Sequence, residues 1–174
     1  MALRKILHYP EPLLKKKSAP VTEFNDELRQ LAADMAETMY DAPGVGLAAP
    51  QVGILKRLIV IDCSASEEPN DLLVAVNPEI VDTEGDSLKE EGCLSVPGFW
   101  ASVKRAEKAT MRYQDVEGNP HERTADGLLG ICMQHETDHL EGVLFVDRLS
   151  PLKRSLFRKK YMKRMKEREQ QDEA

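Results

Sequence analysis

The sequence predicts an α+β fold in which small antiparallel or mixed β-sheets surround a central helix bearing an HExxH motif, with further helices towards the N- and C-terminal ends. Three observations lead there. Two capped segments with helical apolar spacing lie far apart, at 25–40 and 126–140. The strand-like runs gather between them instead of alternating with helices, which disfavours repeated βαβ units. At 174 residues, 41% of them hydrophobic and 31% charged, the chain suits one domain with a core of its own. No internal repeat or linker divides it, so 1–174 reads as a single domain.

Each element has a local justification. From Asn25 to Tyr40 the apolar residues Leu28, Leu31, Ala32, Met35 and Met39 follow helical spacing, with Asn25 as N-cap and Asp41-Ala42-Pro43-Gly44 as the stop. GVGLAAPQVG (44–53) is too rich in glycine for regular structure. Residues 56–63 and 72–77 read as strands, the second limited by Pro78. EGCLSVPG (91–98) is turn-like. Residues 101–116 and 119–124 read as strands joined by a turn at Glu117-Gly118-Asn119. The second helix runs from Asp126, its expected N-cap, to Leu140, with Gly142 suited to the cap beyond it. A last helix follows Ser150-Pro151.

Charge is unevenly spread. Residues 151–168 carry nine Lys or Arg and one Glu, a local +8, which leaves −14 for the remainder of a chain whose net charge is −6. Such an arm suits a polyanionic partner, or is a solvated helix face. Phe157, Tyr161 and Met165 recur at i, i+4 and i+8, so one stripe of the arm can pack on the body. No stretch is apolar for long enough to span a bilayer, and prolines interrupt MALRKILHYPEP before a signal-peptide core could form. No membrane association is expected, and a cytoplasmic location is. There Cys63, Cys93 and Cys132 would stay reduced, and a cysteine that matters would be a ligand or a nucleophile.

The chemistry concentrates in QHETDHLEG (134–142). His135 and His139, at i and i+4, share a helix face about 6 Å apart along the axis, near enough for one metal. Glu136 beside them can accept a proton from water at that metal. Leu128, Ile131, Cys132, His135 and His139 form one stripe, which turns both imidazoles inward, where they need partners. A catalytic site usually takes three protein ligands and an open position. Cys132 and His139 lie roughly 10 Å apart along a straight helix, too far to converge easily with His135. Cys132 reads instead as a small apolar wall residue. His8, His121, Cys63 and Cys93 remain as third ligands. Among them Cys93, between Gly92 and Leu94 in an irregular segment, is the favoured one.

GVGLAAPQVG, EGCLS (91–95) and QHETDHLEG, in that order, resemble the peptide deformylase family over nearly the whole chain. The resemblance implies that Cys93, His135 and His139 bind the metal and that Glu136 is general base and then acid. It implies that Gln51 and the backbone N–H of Leu94 hold the oxyanion. Gly46 and Gly92 would let an extended substrate approach, and Val45, Leu128, Ile131 and Cys132 would line a methionine pocket. The implied activity is removal of the formyl group from formyl-methionyl nascent chains, with release of formate. The implied ion is Fe²⁺, one per chain, replaceable by Zn²⁺, Ni²⁺ or Co²⁺. A monomer is expected, with the basic helix able to dock on the ribosome. Two departures from the family pattern stand out. Thr137 occupies a usually apolar position, and Phe99 and Trp100 are expected to form an apolar rim. The rival readings are an HExxH zinc endopeptidase, disfavoured because no histidine follows His139, and a structural metal module that docks RNA through the arm.

Overall fold

The computed structural model describes residues 2–64 and 70–173. Helix α1 spans Asp26–Asp41, and the Asn25 side chain accepts the Leu28 N–H at 3.0 Å, as an N-cap should. Seven strands follow: β1 (Gly46–Ala48), β2 (Leu58–Ile61), β3 (Leu73–Glu84), β4 (Ser87–Cys93), β5 (Val96–Arg105), β6 (Lys108–Gln114) and β7 (Pro120–Asp126). Helix α2 spans Gly127–Leu140 and α3 spans Pro151–Glu173. The α+β class expected from the sequence is what the chain adopts.

Five strands form one antiparallel sheet in the order β1-β2-β3-β6-β7, while β4 and β5 form a separate hairpin. The short β2 is apolar throughout because both its faces are covered. Leu58 and Val60 pack with Leu28, Leu31, Met35 and Met39 of α1. Ile59 and Ile61, pointing the other way, pack with Cys132, Met133 and Leu140 of α2. Helix α2 is thereby held against the sheet, and its remaining side faces the β4–β5 hairpin.

Several boundaries differ from expectation. Pro78 does not end β3. The register shifts between Val76 and Glu79, Asn77 takes a φ of 51°, and the bulge carries the proline where its missing N–H costs no ladder bond. The run 101–116 divides at Ala106-Glu107 into β5 and β6, which belong to different sheets. EGCLSVPG is the end of that hairpin, with Cys93 opposite Val96 and Leu94-Ser95 as the connecting pair. The glycine-rich segment contains β1 and a single 3₁₀ turn, Ala49–Val52. Asp126 occupies the N-cap of α2, though its side chain makes no capping bond. Gly142, at φ 75°, lies so close to Lys15 that a Cβ would come within 2.3 Å of the Lys15 carbonyl oxygen.

Phe157 and Tyr161 do turn the stripe of α3 inward. With Tyr9, Phe99 and Phe145 they form an aromatic cluster beside the hairpin, in which the Phe99 and Phe157 rings lie 4.5 Å apart. Phe99 is therefore half-buried against that cluster and is not an exposed rim residue. Trp100 is the rim residue, 64% exposed.

Candidate active site

A cleft of about 750 Å³ lies between the hairpin, the segment 42–46 and helix α2. Its walls include Val45, Gly46, Gln51, Gly92, Cys93, Leu94, Leu128, Ile131, Cys132, His135 and Glu136, so all the residues to which the resemblance gave a role are in one place except His139. His139 is buried behind that wall, 1% exposed. Leu128 is the open end of the helix stripe, 52% exposed, while Ile131 and Cys132 are buried.

Three donor atoms converge at the floor. The ligand atoms of Cys93, His135 and His139 all lie within 4.8 Å of one another, the one such His/Cys/Asp/Glu cluster among the described residues. Cys93 Sγ and His139 Nε2 are 3.5 Å apart. A sulfur and a nitrogen bound tetrahedrally to a zinc-sized ion at about 2.3 and 2.0–2.1 Å would be separated by about 3.5 Å, so the set fits a metal ion. His135 donates from Nδ1 to Glu91 Oε1 at 2.9 Å, which orients its ring and leaves the other nitrogen for the floor. His121, one of the other third-ligand candidates, is on β7, stacked on Tyr113 and paired with Asp115 at 2.8 Å. His8 lines the cleft without joining the cluster, and Cys63 lies against Cys132.

Glu136 is buried with its carboxylate against the backbone of Gly46, where a Cβ would come within 2.4 Å of Oε2. Among the described residues its Oε1 has no hydrogen-bond partner. Burial pushes the carboxyl up to about 7. Burial also opposes a charge on His135, but Glu136, Cys93 and Glu91 outweigh it and hold that imidazole well above its ordinary range. His139 goes the other way, lowered by burial and then by the positive charges of His135 and Arg105.

Gln51, 1% exposed, accepts the Ala48 N–H on Oε1 at 2.9 Å. That bond turns its amide nitrogen towards Ser95 Oγ at 3.0 Å and Cys93 Sγ at 3.5 Å. Thr137 satisfies itself within the helix, donating to the Met133 carbonyl at 2.8 Å, so its hydroxyl needs nothing polar beneath.

Reasoning from the sequence missed the buried charges that support the floor. Arg105 donates from Nε and Nη2 to Glu91 at 2.8 and 2.9 Å, and from Nη1 to Asp138 at 2.7 Å. Arg148 closes on the same Asp138 at 2.6 and 2.7 Å. Glu91 and Asp138 stand inside the two motifs, but nothing local marks Arg105 as their partner.

Comparison with known proteins bears on this arrangement. The family model for polypeptide deformylase matches residues 3–155. The chain belongs to that family. A peptide deformylase of Thermodesulfovibrio yellowstonii is 53% identical over 161 residues, 92% of this chain and 98% of the relative. Peptide deformylase 2 of Xanthomonas axonopodis is 54% identical over 169 residues, covering 95% and 98%. Among solved structures, a peptide deformylase from Legionella pneumophila superposes with a TM-score of 0.89 at 51% identity, covering 96% and 98% of the two chains. One from Synechococcus elongatus, in complex with actinonin, gives 0.85 at 42% identity, covering 92% and 93%. Peptide deformylases are metal-dependent hydrolases that remove the formyl group from formylated nascent peptides, and this chain is one of them. An HExxH endopeptidase is not favoured. No helix among the described residues is long and apolar enough to cross a membrane.

Proposed function

We propose that Cys93, His135 and His139 hold one ferrous ion and that the cleft hydrolyses the N-formyl group of formyl-methionyl peptides. The observation that carries this reading is the convergence of those three donors beside a buried carboxylate lying against a glycine backbone. When bound, the ion supplies a Lewis acid that polarises the formyl carbonyl and makes water a better nucleophile at neutral pH. Glu136 takes the proton of the attacking water and returns it to the departing amine. Water adds to the formyl carbon, the C–N bond breaks, and formate leaves with a free methionyl N-terminus. Gln51, oriented by Ala48, and the Leu94 N–H donate to the oxygen that gains charge.

Val45, Ile131, Cys132 and Leu128 receive the methionine side chain, with Gly46 and Gly92 admitting an extended backbone. A Cβ at Gly92 would meet the Trp100 ring at 2.6 Å, so this glycine also makes room for that tryptophan at the rim of the cleft. That the Synechococcus enzyme was solved in complex with actinonin supports a ligand-binding cleft here too. Ligand types leave zinc, nickel and cobalt as workable substitutes for iron. The chain acts as one catalytic domain over 1–174, as a cytoplasmic monomer, with the exposed basic face of α3 docking on the ribosome.

Formate release from formyl-Met-Ala-Ser, assayed anaerobically after loading with iron or zinc, tests the chemistry. Full metal occupancy in Cys93→Ala would overturn the ligand set. Docking is tested by reversing Lys159, Lys163 and Lys166 to Glu, which leaves the buried stripe intact. Unchanged, salt-insensitive co-sedimentation with ribosomes would refute it.

A further inference from the structure

Two thiols outside the ligand set lie in contact. Cys63, half-buried just beyond β2, and Cys132, on the cleft side of α2, are both free, with their sulfurs 3.8 Å apart. Cys132 also lines the cleft. Both sit on held backbone. The Asp62 N–H donates to the Val45 carbonyl at 2.8 Å, and the Asp62 carboxylate accepts from Tyr40 and from Ser64. Helix α2 is packed against β2 in the same apolar cluster. A disulfide needs the sulfurs to close to about 2.05 Å from their present contact at 3.8 Å.

We propose that Cys63 and Cys132 form a reversible oxidation site, closing to a disulfide under hydroperoxide and drawing the Cys132 sulfur out of the cleft wall. In a reducing compartment such bonds are transient and redox-sensing, not structural. Cys63 is the more exposed sulfur and the one that meets the oxidant. Its thiolate attacks one peroxide oxygen, the O–O bond breaks, and the other oxygen leaves as water after protonation, giving Cys63 sulfenic acid. The Cys132 thiol then attacks the Cys63 sulfur, the S–O bond breaks, and the sulfenic oxygen leaves as a second water. Two thiols lose two electrons and two protons, and one hydrogen peroxide becomes two waters. The polarity of the pair agrees with this order. Contact with Cys132 lowers the Cys63 thiol, while the same contact and burial raise that of Cys132.

The bond does not depend on what the cleft turns over, but its effect on turnover rests on the deformylase reading. The test uses nickel-loaded enzyme, which avoids iron oxidation, treated with a small excess of hydrogen peroxide and then alkylated. Peptide mapping is expected to find a Cys63–Cys132 link, with Cys93 still alkylatable after denaturation. kcat/KM for formyl-Met-Ala-Ser is expected to fall about tenfold, the size of a one-methylene misfit in an apolar pocket. Dithiothreitol should restore it. Cys63→Ser should start with ordinary activity, form no link and resist the loss. The proposal is overturned if mapping finds no Cys63–Cys132 bond, or if Cys63→Ser loses activity as fast and as reversibly as the wild type. A link that forms without any change in kcat/KM would overturn the effect on the pocket while leaving the deformylase reading standing.

Discussion

Glu136 and Gly46 act as a pair, because the carboxylate occupies the space that a side chain at 46 would need. Glu136→Gln keeps the size of the group and removes its basicity. Metal content should stay at the wild-type level while turnover falls about 10²–10⁴-fold, the usual worth of a positioned base. Metal analysis and formate release on one preparation check both halves, and a metal-loaded variant with near wild-type turnover would end the assignment. Gly46→Ala tests the same contact from the other side. Its Cβ would meet Oε2 at 2.4 Å, so the carboxylate must move. A displacement on that scale should cost about 10²-fold in kcat with the metal still bound. At this scale the cluster of donors and its adjacent carboxylate were largely legible. A His pair one turn apart with an adjacent Glu carries its chemistry in its spacing. Cys93 was favoured on its surroundings alone, and Gln51 and Leu94 came only with the family resemblance, since the roles proposed for them depend on neighbours distant in sequence.

Elements were legible where periodicity or capping marks them, and illegible where pairing alone defines them. Helix α1 has a cap and a five-residue apolar stripe, and it appears where both place it. Strand β4 reads SLKEEGC, in which the one buried residue is the charged Glu91, so no alternation of apolar residues announces it. Pro78 seemed a stop because a bulge around it cannot be read from composition. Arg105 belongs to the same class. It lies in a strand with ordinary neighbours, yet its side chain is 2% exposed and bolts the hairpin to α2 through Glu91 and Asp138. Arg105→Met should destabilise the fold by about 3–5 kcal/mol, since it leaves Glu91 buried without its guanidinium. Denaturant unfolding of the two proteins measures this. A change within error would mean that Arg148 and His135 suffice to neutralise both carboxylates.

Across the whole molecule, the charge asymmetry and the aromatic stripe of α3 pull in different directions. The stripe makes the arm part of the fold, through rings that reach from Phe157 to Phe99 and Phe145, and from Phe145 to the His135 imidazole at 6.0 Å. Phe157→Ala should cost about 3–5 kcal/mol, as large buried truncations do, with a matching fall in Tm. Turnover well below that Tm should remain near wild type. Equal Tm values would show that α3 packs only loosely in solution.

The donors also come from two bodies with different mechanics. His135 and His139 ride on a helix clamped to the five-stranded sheet, whereas Cys93 ends a hairpin that shares no ladder with that sheet. An ion gripped by all three would act as a rivet between a stiff frame and a more compliant flap. Pulling the rivet should therefore soften one part of the molecule selectively. Chelation is expected to speed amide hydrogen exchange in 87–105 and to leave 58–61 and 73–76 unchanged. Uniform acceleration would mean that the frame yields as readily as the flap. With the rivet in place, the width of the cleft would be set at the proposed metal site, and any flexing of the hairpin would be confined to the part of it beyond that ion.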